Sequence, residues 1–204
     1  FMKRAEIRNM SNAFRVISGE ADFLPGIIAD IYDNTLVLQL TTLGADRLRD
    51  TILQAIHETI NPVYIFEKSN IQSRIREGLT PETGWIGEDG SVEILIYEGK
   101  AKFIVDIANG HKTGFYLDQR RSRLAAGSLV KGKSVLDVSC YTGGFAIHCA
   151  INGAKHVTGI DVKDEWLKLA EKNSAINNVA DITDFITGDS FEILEEKISS
   201  GERF

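Results

Sequence analysis

The sequence predicts an α/β fold, in which an open parallel sheet wound with crossover helices is preceded by a small α+β domain. Two observations predict it. From residue 134 onward, short apolar strands alternate with amphipathic helices, the rhythm of βαβ units. Before residue 107, strands and polar turns follow one another around a single helix, as antiparallel hairpins do. The change of rhythm divides the chain into 1–107 and 108–204.

In order, Phe14 to Ile17 and Ile27 to Ile31 read as strands, and a polar turn at Asp33 and Asn34 leads into Leu36 to Leu40. From Ala45 to Ile60, Leu48, Ile52, Leu53, Ile56 and Ile60 recur at helical spacing until Asn61 and Pro62 stop the pattern. Val63 to Phe66 is another strand, and the polar stretch Glu67 to Gly90 reads as a surface loop. Val92 to Tyr97 and Ala101 to Ile107 alternate with period two across Glu98, Gly99 and Lys100, a second hairpin. A helix capped by Asp118 runs to Ala126 and stops at Gly127. Then come a buried strand (Ser134 to Val138), a helix (Gly143 to Asn152), a strand (His156 to Ile160) and a helix (Lys163 to Asn177). A strand (Ile182 to Ile186) and a helix (Ser190 to Ser199) complete the pattern.

Composition narrows the function classes. With 43% apolar and 25% charged residues, the 204-residue chain has the make-up of soluble globular proteins. No apolar run approaches the roughly 20 residues of a membrane span. The opening residues are basic but lack the apolar stretch of a secretory signal, so a cytoplasmic location is the default expectation. The net charge of -6 argues against a chain that wraps nucleic acid on its own; an RNA role needs a local patch. Arg74, Arg76, Lys112, Arg120, Arg121 and Arg123 are the candidates for such a rim. Cys140 and Cys149 have no zinc-type spacing, so free thiols and no metal are expected.

Ligands of open parallel sheets bind beyond the carboxyl ends of the strands, and acidic residues sit there. Asp137 closes the first strand, Asp161 the second, and Asp189 lies just past the third, beside Ser190. A carboxylate at the second strand end can accept both hydroxyls of a ribose, which suits Asp161. One strand farther along, Asp189 can accept the exocyclic amine of adenine. Between the first strand and its helix, Ser139, Cys140, Tyr141, Thr142, Gly143, Gly144 and Phe145 lack the spaced glycines of dinucleotide binders. Their glycines fall at the helix N-terminus, where free amides meet an anion. S-adenosyl-L-methionine carries a carboxylate and an ammonium but no pyrophosphate, and a loop with Asp137 at its base and amides at its end can meet both. That cofactor is therefore expected over a nicotinamide dinucleotide. The segment from Gly110 to Arg120 is richer in functional side chains than a linker requires.

The segment Gly110 to Arg120, followed by Val135 to Phe145, resembles the ribosomal RNA methyltransferases that modify carbon 5 of a cytosine in large-subunit RNA. Asn12 to Arg15 and Gly19 to Gly26 are similar to that family's central domain. The resemblance implies an RNA-facing domain followed by a class I (Rossmann-like) methyltransferase domain, incomplete at its C-terminus. It implies that Phe115, Tyr116, Asp118, Gln119 and Arg120 help wall the cofactor and active site. It implies large-subunit ribosomal RNA as the partner; composition predicts no membrane, and the sequence leaves a homodimer open. A related branch methylates guanine in the same RNA. Both ends are expected to be cut: the family's RNA-binding PUA domain would precede Phe14, and its Asp-Pro-Pro motif and nucleophilic cysteine would follow Phe204. Cys140 sits in the cofactor loop and Cys149 on a helix, so neither is expected to attack a base. A natural stop at Phe204 would instead favour a non-catalytic RNA-processing adaptor, but it would leave an apolar sheet edge exposed.

Overall fold

A computed structural model describes residues 9–204; the basic opening segment, residues 1–8, lies outside the described residues. Two compact units are present, Phe1–Tyr97 with Val105–Leu117, and Glu98–Ile104 with Asp118–Phe204. Among the described residues no helix is long and apolar enough to cross a membrane.

In the first unit, β1 (Ala13–Ser18), β2 (Ile27–Tyr32), β3 (Thr35–Leu40), β4 (Tyr64–Ser69) and β5 (Glu82–Ile86) form one sheet in that spatial order. Neighbours are antiparallel except β3 and β4, whose parallel pairing requires a crossover. That crossover is helical, α1 (Leu43–Arg47) and α2 (Arg49–Thr59). Ile56 of α2 is buried with Phe14, Ala29, Leu36, Leu38 and Ile65 in one apolar cluster, onto which Ile52, Leu53 and Ile60 pack.

Two expectations need correction here. The single helix over Ala45 to Ile60 is broken at Leu48, which is 57% exposed instead of facing the apolar cluster. Apolar spacing does not register a one-residue change of backbone. The stretch Glu67 to Gly90 is not one surface loop: it contains the end of β4, a short helix α3 (Gln72–Arg76) and β5. Its charges hid this, because they are buried in pairs. Arg74 is fully buried between Asp46 (2.8 Å) and Glu82 (3.1 Å), and Glu67 is paired with Arg49.

A two-stranded hairpin follows, β6 (Glu93–Glu98) and β7 (Ala101–Asp106). Within the first unit, the stretch after β7 is tied to β2. Thr113 donates to Asp30 Oδ2 (2.6 Å) and bonds Tyr32 Oη (2.8 Å), which in turn accepts the Phe115 amide (3.1 Å).

The second unit has the alternating pattern read from the sequence: α4 (Arg120–Ser128), β8 (Ser134–Val138), α5 (Gly144–Ile151), β9 (His156–Asp161), α6 (Asp164–Ile176), β10 (Thr183–Thr187) and α7 (Ser190–Ser200). The three strands are parallel in the order β10, β9, β8. Ala146, Cys149, Ala150, Val157 and Val179 are buried together between helices and sheet. Three details differ from expectation. The strand Ser134–Val138 is only half-buried, since it lies at an edge of the described sheet. The residue that caps α4 is Gln119, not Asp118, which lies in a preceding 3₁₀ turn. Gly127 does not end α4 but lies inside it, where a Cβ would come within 2.8 Å of Asn152 Nδ2 and 3.1 Å of His148 O. Its glycine serves close helix packing, not a left-handed stop.

Candidate functional site

The carboxyl ends of β8, β9 and β10 carry the acidic residues, and the loops that leave them are tied to their neighbours. Cys140 N donates to Ile160 O (2.9 Å) and Gly188 N to Asp161 O (3.0 Å). Asp161, buried, accepts the Tyr141 amide on Oδ2 (2.8 Å) and the Val162 amide on Oδ1 (2.7 Å). Asp137, half-buried, accepts the Ala146 amide from the first turn of α5 (3.0 Å). Asp189 is exposed and caps α7, its Oδ1 accepting the amides of Phe191 (2.8 Å) and Glu192 (3.3 Å); Ser190 is the first residue of that helix.

The loop between β8 and α5 has positive φ at every second residue, Ser139 (60°), Tyr141 (52°) and Gly143 (79°). Left-handed backbone costs a non-glycine residue about 1–2 kcal/mol, so the loop is held by its surroundings. At Gly143 both conformation and space require glycine, since a Cβ would lie 3.2 Å from Ala170 and 3.3 Å from Ile147. The Tyr141 ring meets the Trp166 ring edge to face at 5.0 Å. Thr142 is 2% exposed, and its hydroxyl has no hydrogen-bond partner among the described residues. Gly144 is buried, Phe145 half-buried and Ser139 exposed. Cys140 is buried, and burial together with the nearby Asp137 and Asp161 pushes its thiol far above the ordinary range. Cys149 is pushed up to about 11, mainly by burial. Neither thiol is a ready nucleophile at neutral pH.

Burial raises Asp137 to about 6, against the opposing hydrogen bond from Ala146, and repulsion from Asp161 raises it further. Among the described residues neither Asp137 nor Asp161 has an ion-pair partner. Two neighbouring acids without a cation, one of them half-buried, form a place where a cationic ligand group is favoured. The ammonium of S-adenosylmethionine has the required charge, so the residues present fit that cofactor.

The other expected residues are placed as follows. Phe115, buried, and Tyr116, half-buried, belong to the first unit, where the Tyr116 hydroxyl bonds His111 Nδ1 (2.8 Å). Asp118 and Gln119 are exposed residues of the second unit. Arg120 is buried, with Nε on Glu98 (3.1 Å). The same fully buried carboxylate receives Arg123 through Nε and Nη2 (2.7 Å each) and His148 Nε2 (2.9 Å). The basic rim must therefore be corrected. Arg74, Arg120 and Arg123 are buried in ion pairs, because a guanidinium can leave water only against a carboxylate; Arg76, Lys112 and Arg121 remain exposed.

Sequence reasoning missed several residues around the loop. Trp166 packs on Tyr141, and Val162 (62% exposed) and Phe191 (77% exposed) stand as bare apolar side chains next to Asp161 and Asp189. Asn173 reaches the loop backbone, donating from Nδ2 to Thr142 O (3.2 Å). Its only signal was a polar residue at a helical position where Leu169 and Ala170 predict burial.

Residues 129–204 match the family described as Methyltransferase domain. The ribosomal RNA large subunit methyltransferase I of Alteromonas mediterranea is 40% identical over 203 residues, covering 99% of this chain and 51% of the relative. The chain thus spans about half the length of the curated relatives it matches. A candidate SAM-dependent methyltransferase from Streptococcus mutans superposes with a TM-score of 0.86 at 22% identity, over 98% of this chain and 52% of the other. A candidate methyltransferase solved in complex with SAH gives the same TM-score of 0.86, identity of 22% and coverage of 98% and 52%. The fold of this chain is the mixed α/β class I fold of the S-adenosylmethionine-dependent methyltransferases.

Proposed function

We propose that the chain holds S-adenosylmethionine for methyl transfer to large-subunit ribosomal RNA, at carbon 5 of a cytosine. The observation that carries the cofactor is the pair of acids, Asp137 and Asp161, that has no cation among the described residues, beneath a loop that ends in the amides of α5. Asp137 takes the ammonium, and the free amides at the start of α5 take the carboxylate. Asp161 accepts the ribose hydroxyls on lone pairs that its backbone bonds leave open. Asp189 keeps Oδ2 for the adenine amine, since the cap uses Oδ1. Val162 and Phe191 offer apolar faces to the adenine ring. The bound cofactor supplies an electrophilic methyl group on its sulfonium.

The acceptor rests on the relatives, which are named for ribosomal RNA of the large subunit, and cytosine rests on the resemblance alone, through Asp137 and the Cys140 to Phe145 motif. Residues 1–107 are the RNA-facing half in this reading, and 108–204 the cofactor half. Phe115, Tyr116, Asp118, Gln119 and Arg120 are assigned to the active site on the resemblance. Addition of a thiolate at carbon 6 is the usual activation of a pyrimidine, and neither Cys140 nor Cys149 is suited to it.

Calorimetric titration with S-adenosylmethionine should show one site, and Asp161→Ala should weaken it by about tenfold or more while the chain stays folded. Absence of binding by the folded wild-type chain overturns the cofactor reading. With labelled methyl donor and unmodified large-subunit RNA, the full-length protein should yield 5-methylcytosine; a methylated guanine would replace the cytosine assignment.

A further inference from the structure

The cofactor loop holds an unfavourable backbone, and most of its anchors are obvious from the carboxylates. One is not. Residue 142 lies between two left-handed positions, Tyr141 and Gly143, and its own hydroxyl is buried without a partner among the described residues. Its side chain therefore does not set its conformation. The hold on residue 142 is through its carbonyl, and the group that grips it is Asn173.

Asn173 is fully buried on α6 and its amide serves two neighbours at once. Its Oδ1 accepts Ile104 N (2.6 Å), while Nδ2 donates to Ile104 O (3.3 Å) and to Thr142 O (3.2 Å). Four residues on, Asn177 repeats the first half of this arrangement at Lys102, accepting its amide (2.9 Å) and donating to its carbonyl (2.6 Å). Among the described residues Asn177 has no bond to the loop; its Nδ2 also donates to Asn173 O (2.7 Å). Two asparagines one helical turn apart thus bind alternate residues of β7 as a neighbouring strand would. The second donation of Asn173, to Thr142, is not needed for that strand pairing.

We infer that Asn173 is a positioning residue for cofactor binding, fixing the Ser139–Gly143 backbone so that the start of α5 faces the ligand correctly. This rests on the cofactor reading above. Asn177 makes the matched comparison, because it shares the strand pairing and lacks the loop contact.

The test measures S-adenosylhomocysteine affinity by calorimetry and the thermal midpoint on the same samples of the full chain, for wild type, Asn173→Asp and Asn177→Asp. Each substitution keeps an acceptor and removes the donors. Both variants should melt lower, and only Asn173→Asp should bind more weakly than its loss of stability explains, by about tenfold relative to Asn177→Asp. Amide exchange over residues 139–144 should quicken in Asn173→Asp alone. Equal affinities in the two variants, within about twofold, overturn the inference and leave the cofactor reading intact. A folded wild-type chain that binds no S-adenosylhomocysteine overturns both. Should Asn173→Asp not fold, Asn173→Ser against Asn177→Ser makes the same comparison with neutral side chains, and the same outcomes decide it.

Discussion

Asp137 ties the chemistry of the site to pH. Its carboxyl is raised to about 6, first by burial, whereas an unfolded aspartate titrates near 3.8. Between these values the folded chain binds more protons than the unfolded one, so this group makes stability fall as pH rises from about 3.8 to 6. A cationic ligand favours the ionised form, so affinity should move oppositely. Titrations of S-adenosylmethionine should show binding weakening as pH drops below about 6, and Asp137→Asn should bind weakly with no such dependence. A pH-independent wild-type affinity would remove Asp137 from the ligand. Asp137, Asp161 and the glycines were legible in the sequence because strand ends and helix starts follow from apolar periodicity. Thr142, Asn173 and Trp166 act through tertiary contacts that no local pattern encodes.

In the second unit, α4, α5 and the hairpin segment Glu98–Ile104 meet on one carboxylate. Glu98, in the hairpin, is buried, but hydrogen bonds from Arg123 and His148 hold it down at about 2, against 4.5 ordinarily. A depressed acid contributes stability that is complete above about 4.5 and is lost as pH falls toward 2, so acid unfolding should begin in this window. Glu98→Gln keeps the shape and leaves two buried guanidinium groups without their countercharge. It should cost about 3–5 kcal/mol in urea unfolding; a loss below about 1 kcal/mol would mean water reaches the cluster. The sequence put Arg120 and Arg123 in a candidate basic rim, together with Arg74 on a surface loop. A buried ion pair looks the same as a surface one until its partner, distant in sequence, is known. Helices and strands whose interiors are apolar were legible; α3, which buries Arg74, and β5, whose Glu82 pairs with it, were not.

For the molecule as a whole, the net charge of -6 and the loss of Arg74, Arg120 and Arg123 to internal pairs limit electrostatic attraction to RNA. Under the proposed RNA role, affinity for large-subunit RNA should therefore depend weakly on salt, with a log-log slope shallower than about −4, corresponding to only about four phosphate contacts. A slope near −8 in a filter-binding titration would reveal a basic surface that these burials do not account for. The order of elements in the second unit could be read in advance, since local rhythm and short connections define its sheet; in the first unit the same rhythm missed α3 and β5.

The edge-to-face contact of Trp166 with Tyr141 has a practical consequence. The chain has two tryptophans, Trp85 in the first unit and Trp166 in the second, so each unit carries one intrinsic fluorophore. Trp166 lies against Tyr141 of the Ser139–Gly143 loop and under the Lys163 ammonium, 4.4 Å from its ring centroid. Its emission is sensitive to any displacement of either neighbour. With Trp85 replaced by phenylalanine, the remaining signal becomes a label-free optical gauge of loop movement, fast enough for stopped-flow mixing.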